Sequence, residues 1–231
     1  MNGTTFTQLC LVTVFIIGLG PATVAAQDVQ KPEPAVPEVF TLTGEFVRMA
    51  YNNEGFATLG YRVANDSVGE KWMLLNLGLT VQKGVKNQKL ERGAISLQLP
   101  DGSTVPLASQ EEFAKANLRA LDARANMVHD SINYFPVSVT LPCRIGFFTD
   151  VGQPARGLAY DQVDLNPQKA CVGRVYFNLP DGITTGQYYL NIKFAESALQ
   201  VPFRILTKEE AKEFKKTWKD IKKEHDAQYT Q

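Results

Sequence analysis

Three aspartates, Asp150, Asp161 and Asp164, fall between Cys143 and Cys171, in a segment whose second half reads RGLAYDQVDLNPQKAC. Carboxylates of this kind, with backbone carbonyls, are the oxygen ligands that calcium prefers. Their spacing matches no EF-hand loop, so no metal ligands are assigned. Structural roles account for the same residues: Asp150 and Gly152 suit a turn, and Asn166-Pro167 ends an extended piece. Leu158, Tyr160 and Val163 are expected to anchor the loop on a core. A loop held by a rigid scaffold often carries recognition, which makes Asp150, Tyr160, Asp161 and Asp164 the candidate recognition residues.

Nucleophilic catalysis needs a base beside the nucleophile. His129, next to Asp130, is the one histidine in the body of the chain, and no Gly-x-Ser-x-Gly elbow completes a triad. At the end of a helix, such a histidine interacts with terminal carbonyls. His225 lies in a charged tail. Carboxylates are plentiful, but no pair is marked by position as a glycosidase pair would be. There is no phosphate-binding Gly-x-x-x-x-Gly-Lys motif. No catalytic residue, metal or cofactor is therefore assigned.

The sequence has three cysteines, and Cys10 lies in an apolar run, Leu9 to Gly20, that opens the chain. That run, Pro21 and the small residues before Gln27 have the layout of a secretory signal peptide over 1–26. The alternative, an uncleaved anchor, would need about 20 apolar residues. Cleavage leaves Cys143 and Cys171, an even pair in an exported chain, which reads as a disulfide. Residues 27–38 (QDVQKPEPAVPE) read as a flexible, proline-rich arm. With 24 basic and 24 acidic side chains, the chain has no long-range field drawing it to nucleic acid. No stable membrane span remains after cleavage.

The elements that must position these residues are mostly strands. Apolar residues alternate through Leu59, Tyr61 and Val63, through Met73 to Val81, and through Ile95 to Leu99, where Asp101-Gly102 turns the chain. They alternate again from Val137 through Cys143 to Phe147, from Val175 to Leu179, from Leu190 to Phe194 and from Leu199 to Ile205. The last three read as consecutive antiparallel strands. SQEE at Ser109 is a capping box opening one inserted helix, about 109–128, expected to plug an open end or cover a sheet edge. TKEE at Thr207 opens a second helix, about 208–227, with Phe214, Trp218 and Ile221 on its apolar stripe. This helix either packs on its own domain or presents that stripe to a protein partner. In each aromatic pair, such as Phe147-Phe148, one ring is expected inside and one outside.

The stretch GRVYFNLPDGITTGQYYLNIKFAESALQVPFRIL resembles the closing strands of immunoglobulin-like sandwich domains in exported bacterial proteins. Its Leu-Pro, the turn after it and the Gly186-x-Tyr188 match those strands. Tyr188 or Tyr189 corresponds to the corner tyrosine of such folds. The resemblance, mainly over 172–206, is to a secreted bacterial family without an assigned activity, so it implies a fold and no chemistry. The resulting expectation is an all-β, immunoglobulin-like antiparallel β-sandwich of nine or ten strands over 39–206, followed by the helical segment 207–231. Three function classes follow: a non-enzymatic binding or assembly module of the periplasm or cell envelope, a secreted hydrolase, and a purely structural envelope domain.

Intact-mass analysis of the exported protein is expected to show a chain beginning at Gln27 whose two cysteines resist alkylation. Replacing both by serine should lower the unfolding free energy by about 3.6 kcal/mol on the chain-entropy model. Two freely alkylated thiols would overturn the pairing.

Overall fold

The computed structural model describes residues 39–40, 45–128, 131–152, 154 and 157–229. The expected signal peptide (1–26), the expected arm (27–38) and the pair His129-Asp130 lie outside the described residues. The first strands are β1 (Val39–Phe40), β2 (Val47–Tyr51) and β3 (Gly55–Gly60), followed by a one-turn helix α1 (Arg62–Asn65) and β4 (Trp72–Val81). Next come β5 (Gln88–Glu91), β6 (Ile95–Gln98), β7 (Thr104–Pro106), α2 (Gln110–Lys115) and α3 (Arg119–Met127). The chain closes with β8 (Leu141–Arg144), β9 (Gln162–Leu165), β10 (Lys169–Asn178), β11 (Gly186–Lys193), β12 (Ala198–Ile205) and α4 (Lys208–Tyr229). The described residues are thus mostly β, with twelve strands rather than nine or ten.

Three open sheets result, none closed into a barrel. One is six-stranded, in the order β1-β2-β3-β4-β10-β8; one is four-stranded, β12-β11-β6-β7; and β5 pairs with β9. β4 and β10 run antiparallel through eight paired positions, from Cys171 opposite Leu79 to Asn178 opposite Trp72. Residues directly opposite share a face. Met73, Leu75, Leu77 and Leu79 therefore join Val175 and Phe177 on one side. They enter a single apolar cluster with Leu97 of β6, Leu190 and Ile192 of β11, and Val201 and Phe203 of β12. Each such side chain, fully buried, is worth about 1.5–3 kcal/mol.

The opposite face of β4–β10 carries Leu74, Asn76, Gly78, Val172, Arg174 and Tyr176. It is covered as well. The phenyl ring of Phe113 in α2 lies 4.9 Å from that of Tyr176, and Leu121 and Ala125 of α3 are buried. Nearer β3, the Thr58 hydroxyl donates to the Ile132 carbonyl at 2.8 Å. A Cβ on Gly78 would meet the Phe135 ring at 2.8 Å. The segment around 132–135 thus lies against a strand surface made of small residues.

Several expectations are corrected. The inserted helix is two helices: its capping box forms as read, with Ser109 and Glu112 bonded reciprocally, but Ala116 turns to an extended conformation. The break lets Phe113, Leu118 and Leu121 all reach the sheet. The pair covers a sheet face, not an end or an edge. Tyr61 and Val63 do not extend a strand; a turn of helix buries the adjacent Val63 and Ala64 together, which a strand's alternation does not do. The strand expected from Val137 begins only at Leu141, because Val137 sits in a turn and is 98% exposed. β10, β11 and β12 are not one meander. The LPDGITTGQ connection carries the chain from the six-stranded to the four-stranded sheet, where β11 pairs with β12 and β6. At that crossing the Tyr188 hydroxyl donates to the Thr184 carbonyl at 2.9 Å and accepts from the Thr184 amide at 3.0 Å.

The C-terminal helix starts at its capping box: the Thr207 hydroxyl accepts from the Glu210 amide at 3.1 Å, and the Glu210 carboxylate accepts from the Thr207 amide at 2.9 Å. No described helix is long and apolar enough to cross a membrane.

At one end of the sheets, three connections meet on Glu54, which is 7% exposed. Its carboxylate accepts from the Ser197 hydroxyl (2.7 Å), the Glu196 amide (3.1 Å) and the Gln88 side-chain amide (3.0 Å). Burial pushes its pKa up, but these bonds together outweigh burial and hold it below its ordinary 4.5. A carboxyl depressed in the folded state stabilises the fold fully above its unfolded value and loses that contribution as pH falls through the folded one. Urea unfolding from about pH 5 to about pH 3 should therefore show a smaller stability loss in Glu54→Gln than in the native chain. Equal losses would remove Glu54 from this role.

Candidate functional site

The disulfide lies where β8 meets β10. These two strands run parallel with Cys143 directly opposite Cys171, and their α-carbons are 4.1 Å apart. Cys171 is fully buried on the apolar side, and Cys143, on the outer strand, is half-buried. The bridge thus fastens the edge of the six-stranded sheet. Gly173 allows the close approach beside it, since a Cβ there would stand 2.4 Å from the Ile145 carbonyl oxygen.

Beyond Cys143 the chain crosses to the outer face of β10 and forms one wall of a cleft of about 400 Å³. The floor is Val172, Arg174 and Tyr176, and the far wall is Asp122 and Asn126 of α3. The near wall includes Arg144, Phe148 and Asp150. Arg174 is engaged along α3, donating to Asp122 at 2.6 Å and to the Asn126 carbonyl oxygen at 2.8 Å. Arg144 is exposed, and no described residue pairs with its guanidinium. Asp150 accepts from the Gly152 amide at 2.9 Å, which is the turn read from its sequence. Tyr176, 3% exposed, has its pKa pushed up to about 12, chiefly by burial and against the pull of Arg174. Its phenol therefore stays protonated at neutral pH.

The candidate recognition residues are not brought together. Asp150 lines the cleft; Asp161 and Asp164 do not. Asp161 is 97% exposed, with its carboxylate 3.5 Å from Arg92 Nε. Asp164 stands on β9 opposite Lys89 of β5. Leu158 is exposed; Tyr160 is exposed as well, but its amide donates to the Gly146 carbonyl at 2.8 Å and its ring lies against Gly146, while Val163 and Leu165 are buried. Phe147 and Phe148 are both buried, instead of one inside and one outside. Among the described residues no cluster of carboxylate, imidazole or thiol groups is placed to hold a metal ion.

The loop is held from beneath by Arg92, on the 3-10 turn between β5 and β6. Its guanidinium donates to the Ala108 carbonyl at 2.9 Å and to the Phe147 carbonyl, and lies 4.7 Å from the Phe148 ring centroid. Its backbone amide donates to the Asp161 carbonyl at 2.7 Å. Burial lowers its pKa, against the opposing pull of Asp161. One arginine thus joins three chain segments behind the cleft. Sequence reasoning missed Arg92, Arg144, Arg174, Asp122 and Asn126, because a charged or amide side chain on a strand, turn or helix reads as a solvated one until its neighbours are known.

On α4, the Phe214 ring lies 5.7 Å from Phe46, and Trp218 is buried, while Ile221 is 38% exposed. Of the apolar stripe, then, only Ile221 faces outward to a substantial degree. The side chain of His225 lies outside the described residues.

Comparison with protein-family models, with curated proteins and with solved structures finds no match to this chain.

Arg92→Met is expected to cost about 2–4 kcal/mol, because it leaves two buried carbonyls without their charged donor. Asp161→Asn, at an exposed ion pair, should stay within about 0.5 kcal/mol. Urea unfolding of both variants checks the contrast, and equal effects would show that the ion pair, not the buried bonds, holds the loop.

Proposed function

We propose that this chain is an exported, non-enzymatic binding module of the periplasm or cell envelope, built on an immunoglobulin-like sandwich. We further propose that the cleft beside the disulfide receives its ligand. The observation that carries the reading is the contrast between the two arginines of the cleft. Arg174 is neutralised by Asp122 and oriented by Asn126, whereas Arg144 is exposed without a partner among the described residues. The first acts as scaffold; the second is available to an acidic group of a ligand. A sheet floor and a disulfide-fastened wall supply the rigidity that keeps such a site from losing its affinity to ordering.

Export is supported by the disulfide, which persists in oxidising compartments, together with the signal-peptide pattern of residues 1–26. The sandwich reading is supported by two sheets that bury one face each in a common apolar cluster. It is also supported by the Tyr188 hydroxyl, which bonds to the backbone four residues upstream, as a corner tyrosine does.

Thermal unfolding of the oxidised protein, measured against a panel of small dicarboxylates, phosphate esters and amino acids, tests the reading. A ligand present at 100 times its Kd should stabilise the fold by about 2.7 kcal/mol. That stabilisation should largely vanish in Arg144→Ala. No response across the panel, or a response untouched by Arg144→Ala, would overturn it.

A further inference from the structure

A second hollow lies at the end of the sheets where Glu54 is buried. Its volume is about 680 Å³, and it is formed by the turn after β2, the connection from β4 to β5 and the turn between β11 and β12. Two buried or half-buried groups lock its frame. Asn52 accepts from the amides of Glu54 and Gly55 at 2.9 and 2.7 Å, and donates to the Ser197 hydroxyl at 2.9 Å. Glu54 binds the Glu196 amide, the Ser197 hydroxyl and Gln88, while Gln88 in turn accepts from the Ala195 amide at 2.9 Å. From below, the Phe194 ring wedges against Gly55 so closely that any Cβ there would overlap it. A buried carboxylate in three loops is costly unless it is fully bonded. Here its bonds go to the backbone and side chains that set the loops' positions, which is how a site is preorganised by its supporting residues.

Above this frame, the side chains of Asn53, Lys86, Asn87 and Glu196 are exposed and have no partner among the described residues. Their chemistry narrows the occupant. Each amide offers both donors and an acceptor, the combination that reads hydroxyl groups. The charged side chains of the lining are Glu54, Lys86 and Glu196, two acids against one base, which leaves no cationic surplus for a phosphate or sulfate. The half-buried Val85 adds an apolar surface to the wall, suited to the C–H face of a sugar ring. We propose that this hollow is a second binding site of the protein, and that its ligand is a neutral saccharide held by Asn53 and Asn87.

The test is titration of the isotope-labelled, oxidised protein with chitotetraose, cellotetraose and maltotetraose, with a hyaluronan tetrasaccharide as the acidic comparator. At least one neutral sugar should shift amide resonances of 52–55, 84–88 and 195–197. Asn53→Ala/Asn87→Ala should weaken that binding at least about 10-fold, since two hydrogen-bonding side chains are removed. Arg144→Ala, in the other cleft, should leave it unchanged, so the two sites fail or hold separately. Both altered asparagines are exposed, and an unchanged Tm will show that the fold is intact. The proposal is overturned by shifts confined to other residues, by binding of the acidic sugar alone, by affinity indifferent to the two asparagines, or by no neutral sugar binding up to about 10 mM.

Discussion

The pairing of β4 with β10 is the constraint from which the rest of the structure follows. Both strands are ten residues long; one side of their ladder is apolar and fully buried, and the other, which mixes Leu74 and Tyr176 with Asn76 and Arg174, is buried or half-buried. A ladder shielded on both sides requires two covers. The four-stranded sheet supplies one, and α2, α3 and the segment around 132–135 supply the other. This explains why two helices are inserted between β7 and β8, in a chain otherwise made of strands. It also explains why the cleft beside the disulfide opens on the helical side, where Arg174 and Tyr176 emerge from β10 between α3 and the loop.

Open sheets leave edges, and three of the four outermost strands of the two large sheets carry a proline. Hydrogen bonding alternates along a strand. Leu141 and Ile145 donate to the β10 side, so Pro142 faces outward from β8. The Phe194–Ser197 bond sets the alternation of β12, which turns Pro202 outward, and the Leu99–Ser103 bond does the same for Pro106 of β7. At each position the missing N–H is one that would otherwise invite another strand. The disulfide serves the same edge differently. β8 is short and mostly exposed, and a covalent tie to β10 keeps in register a strand that little apolar burial holds.

Polar groups inside the molecule act mainly as ties between segments remote in sequence. Arg92 links the turn after β5, the connection before α2 and the disulfide loop. Arg124 links α3 to Glu70, ahead of β4, at 2.7 Å. Glu54 links three connections at the opposite end. The bonds of Arg92 to buried carbonyls and those of Glu54 are made where water is largely absent, so removing one partner is costly; the Arg124–Glu70 pair is partly exposed and worth less. The clefts differ from these ties in what has no partner among the described residues: Arg144 in one, and Asn53, Lys86, Asn87 and Glu196 in the other.

Read alone, the residues determined what depends on near neighbours. Period-two burial located β4, β6, β10, β11 and β12; two capping boxes started α2 and α4 where they do begin; and the two cysteines outside the N-terminal apolar run were read as a pair, as Cys143 and Cys171 are. These succeed because alternation, cap bonds and loop closure are set by spacing along the chain. Tertiary structure decided which strands share a sheet, because β10 meets β4, about a hundred positions earlier, in preference to the adjacent β11. It split the inserted helix at Ala116 and placed Val63 in a turn of helix that begins just after Tyr61, since short apolar runs satisfy either period. It also separated Asp150 from Asp161 and Asp164, and gave Arg144, Arg174 and Glu54 their different parts. Whether a charge is a tie or a free contact depends on what folds against it, and spacing in the chain carries no record of that.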